Sequence, residues 1–251
     1  MQHDFIDKYS NRDSLVHRID PRVKILCVLA FVVLATTAMN VSSLITSLII
    51  LGIVLAIARV PLTWAFSRAL IVVPFAGAFA LVKVFTVPGT VIASWGGLAV
   101  TTQGFIIALT LLLRSYACVL SIVLLTSTTP FSTLLASLER LRVPPLITSL
   151  LSFTYRYIFV FVDEGERLGR AKTARCIEGA VYRQRLKASA RTIGMVFIRA
   201  YERGERIYRS MLARGFEGSI HTLDSMHIRK RDVALGLWFV LTTAAVTMAF
   251  R

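Results

Sequence analysis

An all-α, polytopic membrane bundle is the fold class this chain predicts, and three observations carry the prediction. Hydrophobic residues make up 55% of the 251 and charged residues only 17%, with a mean hydropathy of +0.67, far from the averages of soluble domains. The apolar residues gather into runs of about 20, the length a helix rising 1.5 Å per residue needs to cross a hydrocarbon core about 30 Å thick. Lys and Arg are concentrated in some intervening segments and absent from others, the asymmetry expected of loops on opposite sides of a membrane.

The N-terminal stretch MQHDFIDKYSNRDSLVHRID mixes acids with its bases and runs into an apolar segment without a small-residue cleavage site, so it does not read as a cleaved signal peptide. Val23 to Met39 and Val41 to Ala58 follow, joined by a minimal turn at Asn40 and expected to form an antiparallel hairpin of two slightly short spans. A third run, Ala69 to Val87, is interrupted by Pro74 and Lys83; a fourth, Gly104 to Thr126, contains Arg114; a last one covers Val233 to Phe250. About five membrane helices result. The apolar run Leu146 to Val162 is either a sixth span or a helix buried beneath the others, and its shortness together with Arg156 favours the second. Residues 86 to 104, rich in β-favouring residues and Gly, read as an external loop or short hairpin. Arg114, in mid-span, is expected to pair with helix carbonyls or with Ser115 or Ser121.

Orientation follows from the short loops. Lys8, Arg12, Arg18, Arg22 and Lys24 precede the first span, Arg59 and Arg68 follow the second, and Arg140 and Arg142 follow the fourth. The segments around Asn40 and from Pro88 to Gln103 have neither Lys nor Arg. The N-terminus is therefore expected in the cytoplasm, and so is the stretch from Pro130 to Lys230, provided 146–162 does not cross. Of the 29 Lys and Arg, 16 lie between Asp163 and Arg231, alongside eight of the 14 acids, which makes this stretch a mixed, solvated surface.

That stretch contains a repeat. GERLGRAKTARCIEG (165 to 179) and GERIYRSMLARGFEG (204 to 218) agree at eight of fifteen positions without a gap. Arg167, Arg170 and Ala174 fall at i, i+3 and i+7 of a helix, as do Arg206, Arg209 and Ala213, so each copy predicts a helix with one basic face. Gly215 and Gly218 can take the positive φ that ends a helix; in the first copy Cys176 stands in the place of Gly215, and Gly179 is the expected terminator. Attraction to acidic lipid needs charge but no fixed order. Ala-Arg at one place in both copies, with Glu178 and Glu217 three residues on, points instead to protein docking: Ala lets a backbone approach, and Arg offers a planar fork of donors to a groove. Two matching ends suggest a partner with two matching grooves.

These residues resemble a known family, the transmembrane T components of energy-coupling factor (ECF) transporters, and most closely their cobalt-type CbiQ branch. The resemblance rests on HRIDPRVK (His17 to Lys24), TTPFSTLLASLERLRVP (Thr128 to Pro144), YRYIFVFVDEGERLGRA (Tyr155 to Ala171) and the paired motifs Ala174-Arg175-Cys176 and Ala213-Arg214-Gly215. It implies a transmembrane region of four spans over 1–126, a cytoplasmic coupling domain of long crossing helices over 127–231, and a C-terminal membrane helix over 232–251. It further implies that Ala174, Arg175, Cys176, Glu178, Ala213, Arg214, Gly215 and Glu217 dock into two ATP-binding-cassette ATPases, which use ATP and Mg. Substrate is held by a separate membrane S component, with a small accessory membrane subunit as a further partner, in a bacterial or archaeal plasma membrane. Cys176 departs from the family's Gly.

What the chain lacks agrees with that role. It has no GxxxxGK[ST] phosphate loop, and His3, His17, His221 and His227 lack metal-site spacing. Cys27, Cys118 and Cys176 read as packed thiols rather than ligands or disulfides. No resident cofactor or metal, no nucleic-acid partner and no catalysis are expected. The spans are almost free of acids and His, which speaks against a membrane enzyme, and only Pro74 and Arg114 hint at a self-sufficient transporter or channel. The resemblance ranks the transported substrates as cobalt, then nickel, then biotin or another vitamin.

Overall fold

The computed structural model describes residues 12–38, 40–95, 98–175, 182–216 and 229–249. Its helices are α1 Pro21–Thr37, α2 Val41–Ile57, α3 Leu62–Ala69, α4 Val73–Thr86, α5 Thr102–Thr128, α6 Phe131–Arg140, α7 Pro145–Arg175, α8 Tyr182–Leu212 and α9 Lys230–Ala249. The expected all-α class holds. One antiparallel ribbon, β1 Val91–Trp95 with β2 Leu98–Thr101, lies within the segment read as an external loop or hairpin. Two compact units are present, one of α1 to α5 with α9 and one of α7 with α8, the change falling inside α6 between Leu134 and Leu135.

HRIDPRVK is a helix start. Asp20 is the N-cap of α1, its Oδ1 accepting from the Arg22 amide at 2.9 Å, and Pro21 fills the first helical position, where no amide hydrogen is needed. Pro74 is accommodated in the same way: a 3₁₀ turn, Leu70–Val72, joins α3 to α4, and the proline sits at the start of α4. The third apolar segment therefore begins earlier than its hydropathy suggested, at Leu62, and runs to Thr86.

Among the described residues four helices can cross a membrane by length and composition: Leu62–Thr86, Thr102–Thr128, Pro145–Ala174 and Lys230–Ala249. α1 and α2, at 17 residues each, reach about 26 Å, a little under the hydrocarbon thickness. The run 146–162 departs from expectation. It is not buried beneath other helices: it opens the 31-residue α7, and Leu146, Leu150, Ile158 and Val162 are exposed along it.

In the first unit α5 is the central post, with α1, α2 and α4 packed along it and α9 against α1. Its core mixes Phe31, Leu51, Leu55, Leu120 and Leu124 with Ala35, Ala65, Ala69 and Ala117, the small residues that let membrane helices approach closely. Gly236 of α9 marks a close approach to α1, because a Cβ there would stand 2.5 Å from Val23 Cγ1 and 2.9 Å from Cys27 Sγ. Phe31 and Phe239 stack across the same seam at 6.0 Å. Cys27 and Cys118 are free, half-buried thiols, as packing predicts.

Among the described residues of this unit, buried Lys24 and half-buried Arg114 both donate to carbonyls at helix ends. Arg114 Nη2 donates to the carbonyl of Ala38, the C-cap of α1, at 2.6 Å; of the expected partners, a helix carbonyl is the one used. Lys24, 8% exposed, donates to the carbonyl of His17 at 3.1 Å, the carbonyl of Thr128 at 3.1 Å and Oγ1 of Thr129 at 3.2 Å. All three ammonium protons are used, and buried Asp20 and Asp232 supply opposite charge nearby. The start of α1 is thereby tied to the end of α5. Lys24→Met should destabilise the fold by about 3 kcal/mol, since the two acids stay buried without their cation. A drop in the midpoint of thermal unfolding in detergent is the expected reading; an unchanged midpoint would refute the role.

Candidate functional site

The second unit presents both copies of the repeat as helix ends. α7 and α8, each 31 residues, are joined by the Glu164 to Arg199 ion pair and by Lys172 Nζ donating to Ser189 Oγ at 2.6 Å. Moving eight residues along α7, from 164 to 172, moves the partner ten residues back along α8. The helices are therefore antiparallel and their C-termini point in opposite directions. Extending the register places the Arg175 end opposite the first turns of α8, so the two ends lie roughly 40 Å apart at 1.5 Å per residue.

The second end is a closed turn. The Phe216 amide donates to the Met211 carbonyl and the Gly215 amide to the Leu212 carbonyl, both at 3.0 Å, and Gly215 has φ of +81°. These are the six-to-one and five-to-two bonds of a glycine-terminated helix. They hold Ala213, Arg214 and Gly215 exposed in a closed turn. The space where a Gly215 Cβ would stand is open, so the glycine answers to backbone conformation and not to crowding.

At the first end Ala174 is exposed and Arg175 is the last residue of α7. Cys176, Glu178 and Glu217 lie outside the described residues, as does the expected terminator Gly179. The structure thus brings Ala213, Arg214 and Gly215 into one turn and puts Ala174 and Arg175 at the end of the other helix.

Charge distinguishes the motif arginines from their neighbours. Arg206 pairs with Glu202 at 4.0 Å, Arg209 with Glu205 at 2.8 Å and Arg167 with Glu164 at 3.9 Å, each using an acid one turn behind. The corresponding positions behind Arg175 are Ala171 and Lys172, and behind Arg214 they are Ser210 and Met211. The basic faces are therefore laced with acid, while the last arginine of each copy has no such acid one turn behind it in the sequence. The exposed guanidinium of Arg214 can meet a carboxylate or carbonyl from outside.

Reading the repeat alone missed Glu164, Arg199, Lys172 and Ser189, the residues that set the helix register. No spacing in a single sequence links positions 35 or 17 apart.

Residues 12–224 match the model of the family described as CbiQ, cobalt transport protein. The chain belongs to the CbiQ family of T components. It is 30% identical over 218 residues to the energy-coupling factor transporter transmembrane protein EcfT of Limosilactobacillus fermentum, covering 82% of this chain and 81% of that one. It is 30% identical over 153 residues to the cobalt transport protein CbiQ of Rhodobacter capsulatus, 61% of each chain. An uncharacterized protein of Methanocaldococcus jannaschii is 28% identical over 250 residues, 97% of this chain and 86% of its own. The CbiQ match takes in α1 to α8 and both copies of the repeat, leaving α9 outside.

Gly215→Ala tests the second end without adding a clash. The left-handed φ should cost about 1–2 kcal/mol locally, fraying the last turn of α8. Hydrogen exchange at Met211 to Phe216 should accelerate while α7 stays protected; unchanged exchange would show that the turn does not depend on the glycine.

Proposed function

We propose that this chain is the transmission component of an energy-coupling factor importer, a membrane subunit without catalysis of its own that links two cytoplasmic ATP-binding-cassette ATPases to a substrate-carrying S component. The observation that carries the reading is the pair of outward-facing helix ends. Two grooves on two ATPase subunits call for two similar handles well apart, and the Ala-Arg ends are similar, opposed and roughly 40 Å apart. Family membership supports it, and so do the names of the Limosilactobacillus and Rhodobacter relatives. One ATPase takes Ala174, Arg175 and Cys176 with Glu178, the other Ala213, Arg214 and Gly215 with Glu217, within a coupling domain spanning 127–231. ATP and Mg are bound by the ATPases.

The protein is a multi-pass membrane protein, and we place its N-terminus and the α7 and α8 ends in the cytoplasm. Were α7 to cross, Arg140 and Arg142 would lie on one side and the arginines from 167 to 214 on the other, against the charge bias. The exposed apolar half of α7 then lies against lipid or the S component. Cobalt ion is the first substrate in this reading, with the family description in support, and nickel the second; a small accessory subunit completes the assembly. As the ATPases close on ATP their grooves approach, the anchored ends are drawn along, and α7 and α8 change the surface offered to the S component.

Arg214→Ala should lower ATP-dependent cobalt uptake at least about tenfold, the loss expected when a buried charged contact is removed. The Arg175→Ala, Arg214→Ala double variant should fail to co-purify with the ATPases while still reaching the membrane. Full assembly and uptake by the double variant would sink the proposal.

A further inference from the structure

At one end of the bundle a cleft of about 370 Å³ opens between α1, α5 and α9. Val23, Cys27, Leu124, Leu235, Trp238 and Phe239 line its body, and Arg18, Arg229 and Arg231 line its polar edge. An engineered apolar cavity of about 150 Å³ stays dry and takes up an apolar guest, so a cleft of this lining and size favours hydrocarbon over water. Lys24 also lines the cleft, but its three protons are committed to His17, Thr128 and Thr129, leaving the arginines to meet a ligand. Arg18 is held only loosely, with Asp13 at 3.7 Å and both side chains more than two-thirds exposed; Arg229 and Arg231 are exposed as well. Asp232 is buried beside Lys24.

An apolar body with a cationic edge matches one molecule that a bilayer supplies everywhere, an acyl chain carrying a phosphate. We infer that this cleft is a binding site for an anionic phospholipid, one chain lying along α1 and α9 and its headgroup on Arg18, Arg229 and Arg231. Gly236 permits the site, because the close approach it allows at Val23 and Cys27 shapes the cleft wall. The inference does not depend on the ATPases, so it stands or falls separately from the transport role.

Trp238 reports on the cleft directly, being two-thirds exposed within it. The full chain carrying Trp64→Phe and Trp95→Phe, so that Trp238 is the sole tryptophan, is reconstituted into vesicles containing brominated phosphatidylglycerol or brominated phosphatidylcholine. Half-maximal quenching should need about threefold less of the anionic lipid. Arg18→Gln, Arg229→Gln and Arg231→Gln together should abolish that preference, and the matching Lys variants should keep it, which separates lost charge from lost folding. Equal quenching by both lipids, a preference that survives the Gln variants, or no quenching because protein covers the cleft would each overturn the assignment. Loss of the preference on adding inorganic phosphate would mark a free-anion site and overturn it too.

Discussion

The antiparallel register of α7 and α8, set by the Glu164 to Arg199 ion pair and the Lys172 to Ser189 bond, is the constraint on which the rest depends. A repeat in tandem along one helix would present both copies in one direction. Two antiparallel helices turn the same copies outward at opposite ends, converting an offset of 39 residues in sequence into a span across the unit. Helix C-termini suit such ends, since the helix dipole places partial negative charge beside the motif arginine.

The membrane unit answers a different demand, that cations withdrawn from water find acceptors. Arg114 and Lys24 both use carbonyls at helix ends, the one chemical group a helix bundle always has to spare. Because Lys24 gathers the end of α5 at Thr128 and Thr129, the residues just before α6, it fixes where the chain leaves the bundle. The small residues Ala35, Ala69, Ala117 and Gly236 bring the helices near enough for such reach.

Much of this was legible from residue order. Length and apolarity gave α5 and α9 nearly to their ends, and Gly215, with Gly218, offered a left-handed cap because only glycine takes that backbone freely. The same cap at Arg59 and Arg142, with φ of 55° and 68°, was invisible, since arginine carries no such signal and tertiary context imposes it. The run 146–162 misled because shortness and Arg156 suggested burial, whereas helix propagation carries it through to Arg175 and exposes its apolar face. Register between α7 and α8 was out of reach for a simpler reason: it rests on pairs of polar side chains far apart in sequence.

Coupling requires that the two ends move when the ATPases act. Spin labels at Ala174→Cys and Ala213→Cys, with Cys27, Cys118 and Cys176 replaced, would report their separation by dipolar spectroscopy in the complex with ATPases and S component. Addition of a non-hydrolysable ATP analogue with Mg should shorten the distance between the labels by several Å from a starting value of roughly 40 Å. An identical distance distribution with and without nucleotide would contradict the account.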